Sequence, residues 1–399
     1  MEMIPPEIID LFFKFLHLDR DKRTLGTCSL VCAAWLPFAR YRLLSDVTVK
    51  FSTHERDEVI EDLLSSPLCT IAPYICNLHI QGSCPALSPL SIRTSTAAIR
   101  SLPNIRNVTL QDITWPLMPV ELKTAIASFD LTSLSFSFVF FATSQELYQL
   151  LSAFPTLTVL SLGYGVRWLE PSSDTRPSKP LKSVRRLSLD TSKAPLMSFL
   201  LQLTAPASID ALEMRFVSIT QKMMVDEFLN RTTLKHLTLD FGKIGQGRQT
   251  VRTKRHLSCV DFFRNSGPGT IHFDLGSHPE LRSLTLEGLV LSRNYYTSPE
   301  ANWGACMALL SSIKSRSMES LTICLSKLQS VADVDWAAFD NVLEGEVFKN
   351  LRTVSLKCYI LTDPDSQHFP HSDAIRAHLP KAHTRGLLDF EYIPSNLYL

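Results

Sequence analysis

Residues 131–162 read LTSLSFSFVFFATSQELYQLLSAFPTLTVLSL, and they hold one spacing twice. Leu131, Leu134 and Phe136 take the first, fourth and sixth places of a short apolar motif, and so do Leu157, Leu160 and Leu162. The alternation that ends each copy predicts a strand with one buried face. Between the copies, SQELYQLLSAF from Ser144 has the apolar spacing of a helix. One strand and one helix cannot bury these leucines alone, so the unit needs copies of itself alongside.

The copies are present. The spacing recurs at Ile75-Leu78-Ile80, Ile105-Val108-Leu110, Val184-Leu187-Leu189, Ile209-Leu212-Met214 and Leu234-Leu237-Leu239. It continues at Leu281-Leu284-Leu286, Met318-Leu321-Ile323 and Leu351-Val354-Leu356. Successive middle residues are 30, 26, 26, 27, 25, 25, 47, 37 and 33 apart, and a degenerate earlier copy starts at Leu44-Val47-Val49. Helix-like stretches also begin at Pro119, Pro195 and Thr220. This organisation resembles the leucine-rich-repeat solenoid, which implies a parallel concave sheet with helices outside. The family's usual Asn, three residues after the last leucine, is absent; Ser83, Ile113, Val139, Gly165 and Ser192 stand there. The expected fold is therefore α/β, an irregular solenoid over residues 46–399 with about ten to eleven strand–helix repeats.

Two insertions interrupt the rhythm. GYGVRWLEPSSDTRPSKP from Gly163 carries three prolines and reads as a loop. The gap of 47 holds FGKIGQGRQTVRTKRHL, with Lys243, Arg248, Arg252, Lys254 and Arg255 and no acid. It reads first as a solvated segment and second as a docking surface for an acidic partner or a nuclear address. Both insertions leave the rim that follows a strand, and one-sided insertions in a solenoid often mark its binding side.

With the leucines pointing inward, the third, fifth and seventh positions face the concave side. Eight of the ten fifth positions are Ser or Thr, small side chains that suit neighbouring strands. Charges gather on the middle repeats: Arg186, Asp190, Glu213, Arg215, His236, Asp240 and Glu287. Mixed charge favours a shaped polypeptide partner over a phosphate-rich one. These seven are the candidate target-binding residues.

The first 45 residues do not share the repeat. In IPPEIIDLFFKFLHL, from Ile4 to Leu18, only Asp10, Lys14 and His17 are polar beyond Ile8. On a helix the apolar residues cover an arc of roughly 220°, whereas covering one core takes a stripe of about 100° or somewhat more. DRDKRTLGTCSLVCAAWLPFARYRLL follows, with Leu25, Cys28, Cys32, Trp35 and Ala39 at helical spacing and Pro37 breaking or restarting the helix. Two or three short helices are thus expected, buried on one side by this chain and on the other by a separate protein.

The Pro5-Pro6-Glu7 entry, the Ile8-Ile9-Asp10-Leu11 run, the Leu25-x-x-Cys28-Ser29-Leu30-Val31-Cys32 segment, and Trp35 followed by Ala39-Arg40 and Leu43-Leu44 resemble an F-box of the form common in fungal proteins. The resemblance implies an F-box over residues 1–45 that docks on the Skp-type adaptor of SCF ubiquitin ligases and, through it, a cullin. The adaptor-facing residues it implies are Pro5, Pro6, Ile8, Leu11, Phe12, Phe15, Leu16, Leu25, Leu30, Val31 and Trp35. The plainer alternative is a helical cap on the following domain.

Composition excludes several other classes. The chain has 399 residues, 45% hydrophobic and 20% charged, with 40 basic against 39 acidic residues. That balance gives no pull towards nucleic acid or an anionic membrane. No apolar run approaches ~18 residues, and the acidic, proline-containing start is a poor secretory signal. Nine scattered cysteines without a C-x-x-C pair read as reduced thiols in the cytoplasm or nucleus, where the sequons at Asn107 and Asn230 would stay unmodified. Asp240-Phe241-Gly242 lacks a catalytic loop upstream. His368, His371, His378 and His383 lack the spacing of a metal set. The expectation is a non-catalytic substrate-receptor subunit of an SCF-type ligase, without cofactor, that binds an unknown target protein. The alternative is a non-degradative interaction scaffold carrying an F-box.

Overall fold

The computed structural model describes residues 5–16, 18–51, 64, 66, 69–82, 96–168, 181–190, 196, 199–200, 209–215, 222–240, 274–290, 299–326, 331–360 and 372–394. By compactness the chain divides into two units, Met1–Pro177 and Ser178–Leu399. The division falls within the proline-containing insertion, whose residues 169–180, read from sequence as a loop, lie outside the described residues.

The first unit opens with three helices, α1 (Pro6–Phe15), α2 (Leu18–Cys28) and α3 (Leu36–Leu44). Pro6 lies in the first turn of α1 and Pro37 in that of α3, where a missing N–H costs little. Pro37 thus restarts a helix. Ile9, Phe13, Leu25, Cys28 and Ala39 form the buried centre, with Leu16, Trp35, Phe38 and Leu43 packed against it.

The strands follow: β1 (Asp46–Lys50), β2 (Asn77–Gln81), β3 (Asn107–Gln111) and, after α4 (Val120–Ala127), β4 (Ser133–Ser137) and the short β5 (Phe140–Phe141). Helix α5 (Ser144–Ser152), β6 (Val159–Leu162) and β7 (Arg167–Trp168) complete the unit. Strands β1, β2, β3, β4 and β6 lie side by side, parallel and in chain order. Their register carries the leucine spacing across the sheet: Val47, Leu78, Val108, Leu134 and Leu160 fall in one row. Val49, Ile80, Leu110, Phe136 and Leu162 fall in another. The row through Ile80 and Phe136 is buried, while its strand neighbours are half-exposed. The degenerate copy after Leu44 is therefore a real strand. Helix α5 starts where its sequence motif does. Thr143 Oγ1 accepts from Glu146 N, and Glu146 Oε2 accepts from Ala142 N, a reciprocal cap of the capping-box kind.

The missing asparagines find two substitutes. Ile113 and Val139, at the vacated positions, are buried apolar residues. An amide chain forms instead on the sheet face opposite the buried rows: Asn107 Nδ2 donates to Asn77 Oδ1 at 2.6 Å, and Asn77 Nδ2 to Asp46 Oδ1 at 2.7 Å. Asn107 is thereby a sheet residue.

The second unit holds β8 (Arg186–Asp190), β9 (Ala211–Arg215), α6 (Lys222–Asn230), β10 (His236–Asp240), β11 (Ser283–Val290), α7 (Pro299–Ser312), β12 (Ser320–Ser326), α8 (Trp336–Leu343), β13 (Thr353–Ile360), α9 (Ser372–His378), α10 (Pro380–Thr384) and β14 (Leu388–Pro394). The seven strands are again parallel and in chain order. With the five of the first unit, twelve parallel strands and their helices make the chain α/β. Trp303, Trp336 and Phe339 pack ring to ring between α7 and α8. Buried Asp340 accepts from the backbone N–H groups of Lys381 and Ala382 and so anchors α10. Strand β14 is one repeat more than the spacing predicts. Its first position is Arg385, so the motif's leading leucine is missing, while Leu387 is buried.

His278 is wholly enclosed beside the turn Leu275–Ser277, and neither ring nitrogen has a well-formed hydrogen bond among the described residues. Burial lowers its pKa from the usual 6.5, outweighing the Thr232 backbone and Asp274, which favour the cation. The unfolded chain takes up a proton that the fold excludes. Stability is therefore present above the unfolded pKa and is lost as pH falls through about 6.5 and below. The thermal midpoint should drop between pH 7.5 and 5.5 more steeply in the native protein than in His278→Leu. Equal slopes would contradict this.

Candidate functional site

Two surfaces hold the candidate residues, one in each unit. On α1 the inward side chains are Ile9 and Phe13, four residues apart. Ile8, Leu11, Phe12 and Phe15 form a second stripe at i, i+3, i+4 and i+7, and all four are exposed, Phe15 at 74%. Leu30 and Val31, in the turn after α2, are exposed at 84% and 60%. Their backbone N–H groups donate to Thr27 O and Cys28 O, so the turn is hydrogen-bonded. Trp35 joins the two segments. Its ring centroid lies 5.6 Å from that of Phe12 and 5.7 Å from that of buried Phe13. Six large apolar side chains thus stand in solvent on about 25 residues of chain.

Of the residues expected to meet an adaptor, Pro5, Ile8, Leu11, Phe12, Phe15, Leu30 and Val31 are exposed. Leu16 and Trp35 are half-buried and pack on the helical core. Leu25 is a correction: it is fully enclosed by the three helices and belongs to their core, out of a partner's reach. The side chain of Pro6 lies outside the described residues.

In the second unit the strand register sets Asp190 opposite Arg215, Arg215 opposite Asp240, and Asp240 opposite Glu287. Glu213 joins from the fifth position of its repeat, on β9. Its Oε1 accepts from Arg215 Nε at 2.7 Å and lies 2.6 Å from Nη2. Burial acts against the charge on Arg215, but Glu213, Asp240 and Glu287 outweigh it and raise its pKa. Glu287 is pushed up by burial first, then by Asp240 and Glu213, against the pull of Arg215 and Lys357. Lys357 was not among the expected residues, although the same period places it at the seventh position of its repeat. Its ammonium lies 2.5 Å from Glu391 on β14, and that bond is the main cause of its raised pKa.

The expected patch is thus brought together in part. Glu213, Arg215, Asp240 and Glu287 form one electrostatic group. His236 and Arg186 lie on another row, on either side of Ala211, with His236 Nδ1 at 2.7 Å from Ser283 Oγ. Asp190 is the second correction. Only 4% of it is exposed, and a buried carboxylate serves its own fold before it serves a visitor. The basic insert 243–256, Phe241, Gly242, His368 and His371 lie outside the described residues. His378 and His383 are exposed.

Asp240→Asn should lower the pKa of Glu287 towards its usual 4.5, because it removes the largest charge acting to raise it. A carboxyl ¹³C titration reads this directly, and an unmoved Glu287 would show that Asp240 takes no part in its shift.

Burial pushes the thiols of Cys306 and Cys358 up to about 12, which keeps them protonated and poor nucleophiles. Among the described residues no group of His, Cys, Asp and Glu is arranged to hold a metal ion, and no helix is long and apolar enough to cross a membrane.

No protein-family model matches the chain, and no curated protein does. Among solved structures, the crystal structure of a Bacteroides fragilis protein aligns over 87% of this chain and 73% of its own, at 12% identity and a TM-score of 0.31. Likeness at that level carries no argument about function.

Proposed function

We propose that the chain is a substrate-receptor subunit of an SCF-type ubiquitin ligase, its N-terminal helices an F-box and its strand–helix repeats an irregular leucine-rich-repeat solenoid. One observation carries the reading. The three-helix core is complete with Ile9, Phe13, Leu25, Cys28 and Ala39, yet Ile8, Leu11, Phe12, Phe15, Leu30 and Val31 remain in water. A helix that covers only its own core has no use for the second stripe. The F-box resemblance names the occupant: a Skp-type adaptor, and through it a cullin.

The repeats would hold the target protein, with Glu213, Arg215, Asp240 and Glu287 as its charged contacts. Such a subunit does no chemistry of its own. It raises the local concentration of a target lysine at a ubiquitin-charged enzyme, and proximity supplies the rate. Its workplace would be the cytoplasm or nucleus. Co-expression with a Skp-type adaptor tests the first half: a stable complex supports the reading, and two separate species argue against it. Proteasome inhibition separates the degradative receptor, whose target accumulates, from a non-degradative scaffold, whose partner level stays constant.

A further inference from the structure

In the first unit the residue after β2, β3 and β4 turns left-handed: Gly82 at φ 121°, Asp112 at 55° and Phe138 at 53°. Gly82 is required there, because a Cβ would lie 2.5 Å from Phe51 O. Aspartate tolerates this backbone region, but a bulky aromatic rarely occupies it. Phe138 nevertheless does, and 45% of it is in solvent.

Its neighbour on the next strand end is Tyr164, 53% exposed. The two rings meet edge to face at 5.1 Å, and Phe138 N donates to Tyr164 O at 2.7 Å. Gly165 lets the Phe138 ring settle, since a Cβ there would lie 2.7 Å from Phe138 Cδ1. On the other side stands exposed Asp112, whose backbone N–H donates to Ser137 O. Asp112 Oδ2 accepts from Gln111 at 3.2 Å and from Gln81 at 3.4 Å, neutral amide contacts, and among the described residues it has no ion pair. Two exposed aromatic rings, with an aspartate at the neighbouring strand end, suit a flat cation. The same rim already holds one such pair, with the Arg167 guanidinium 3.5 Å above the Phe140 ring.

We infer that the rim formed by Asp112, Phe138 and Tyr164 is a docking site for an arginine side chain of a protein partner. Arginine is favoured over lysine because its planar group stacks on rings while bonding a carboxylate. In sequence, the proline-containing insertion begins directly after this strand end, at Gly163, and such insertions often mark the binding side of repeat proteins. This inference stands without the adaptor reading, since it uses none of the N-terminal residues.

The test uses the full chain carrying a trifluoromethyl-phenylalanine at position 138, titrated with the peptides (Gly-Ser-Arg)₃, (Gly-Ser-Glu)₃ and (Gly-Ser-Leu)₃. The arginine peptide should shift the ¹⁹F signal saturably, and the other two should not. Asp112→Asn and Tyr164→Ser should each weaken that binding by roughly fivefold or more. Phe138→Asn, read by labelled-peptide anisotropy, should lose affinity while its thermal midpoint holds or rises, because asparagine accepts the left-handed backbone. An unshifted signal, an equal response to the leucine peptide, or a Phe138→Asn variant that melts earlier yet binds unchanged would each overturn the inference.

Discussion

Replacing Leu11 and Phe15 together by alanine is expected to strip a Skp-type adaptor from the chain while leaving its fold intact. Both side chains stand in water on the outer stripe of α1, and neither belongs to the buried centre of the helices. Fully burying a leucine or phenylalanine is worth about 1.5–3 kcal/mol. These two are partly covered already, so a partner gains roughly 1–2 kcal/mol from each. Losing both should weaken the complex by roughly 30- to 700-fold, enough to end co-purification. The circular-dichroism melt should stay within about 1 kcal/mol of the native protein, as surface substitutions do. Undiminished adaptor binding in the double variant would show that this stripe is not the seat.

Phe13→Ala is expected to do the reverse. Phe13 is wholly buried, its ring set against Trp35 at 5.7 Å and Phe38 at 6.3 Å. Removing a buried phenylalanine costs about 3–5 kcal/mol, part lost transfer energy and part cavity. Three short helices with so small a centre have little to spare, so the N-terminal region should unfold locally and lose adaptor binding as a consequence. Limited proteolysis should then cut between Pro6 and Leu44 in Phe13→Ala and spare the Leu11→Ala, Phe15→Ala variant. Equal resistance in both would mean that Phe13 is not the core residue its burial indicates. The contrast between neighbours is the point: Phe12 and Phe13 differ by one position, yet Phe13 is wholly buried and Phe12 is exposed.

Periodicity made the strands legible because a repeated core face dictates which residues are apolar. Leu78, Val108, Leu134 and Leu160 were readable as one row before any register was known, and the structure sets them side by side. The same logic missed β14, where Arg385 replaces the leading leucine. It overreached at Asp190, because a period of two tells which face a side chain takes but not how deeply neighbouring segments cover it. It also under-read the charged group, since Lys357 obeys the period yet lies two repeats beyond the visible cluster of acids. On α1 the apolar arc announced more surface than one core could use. Which residues face inward depends on where α2 and α3 pack, and that is a tertiary fact. Leu25 was misassigned for this reason.

Hydrogen exchange on the full-length chain, with and without a purified Skp-type adaptor, probes the outer stripe where it matters. Backbone amides from Ile8 to Phe15 and from Leu30 to Trp35 should slow on addition of the adaptor, while those of β8 to β14 keep their rates. Unchanged exchange across Ile8–Trp35 at saturating adaptor, or protection confined to the strands, would contradict the account.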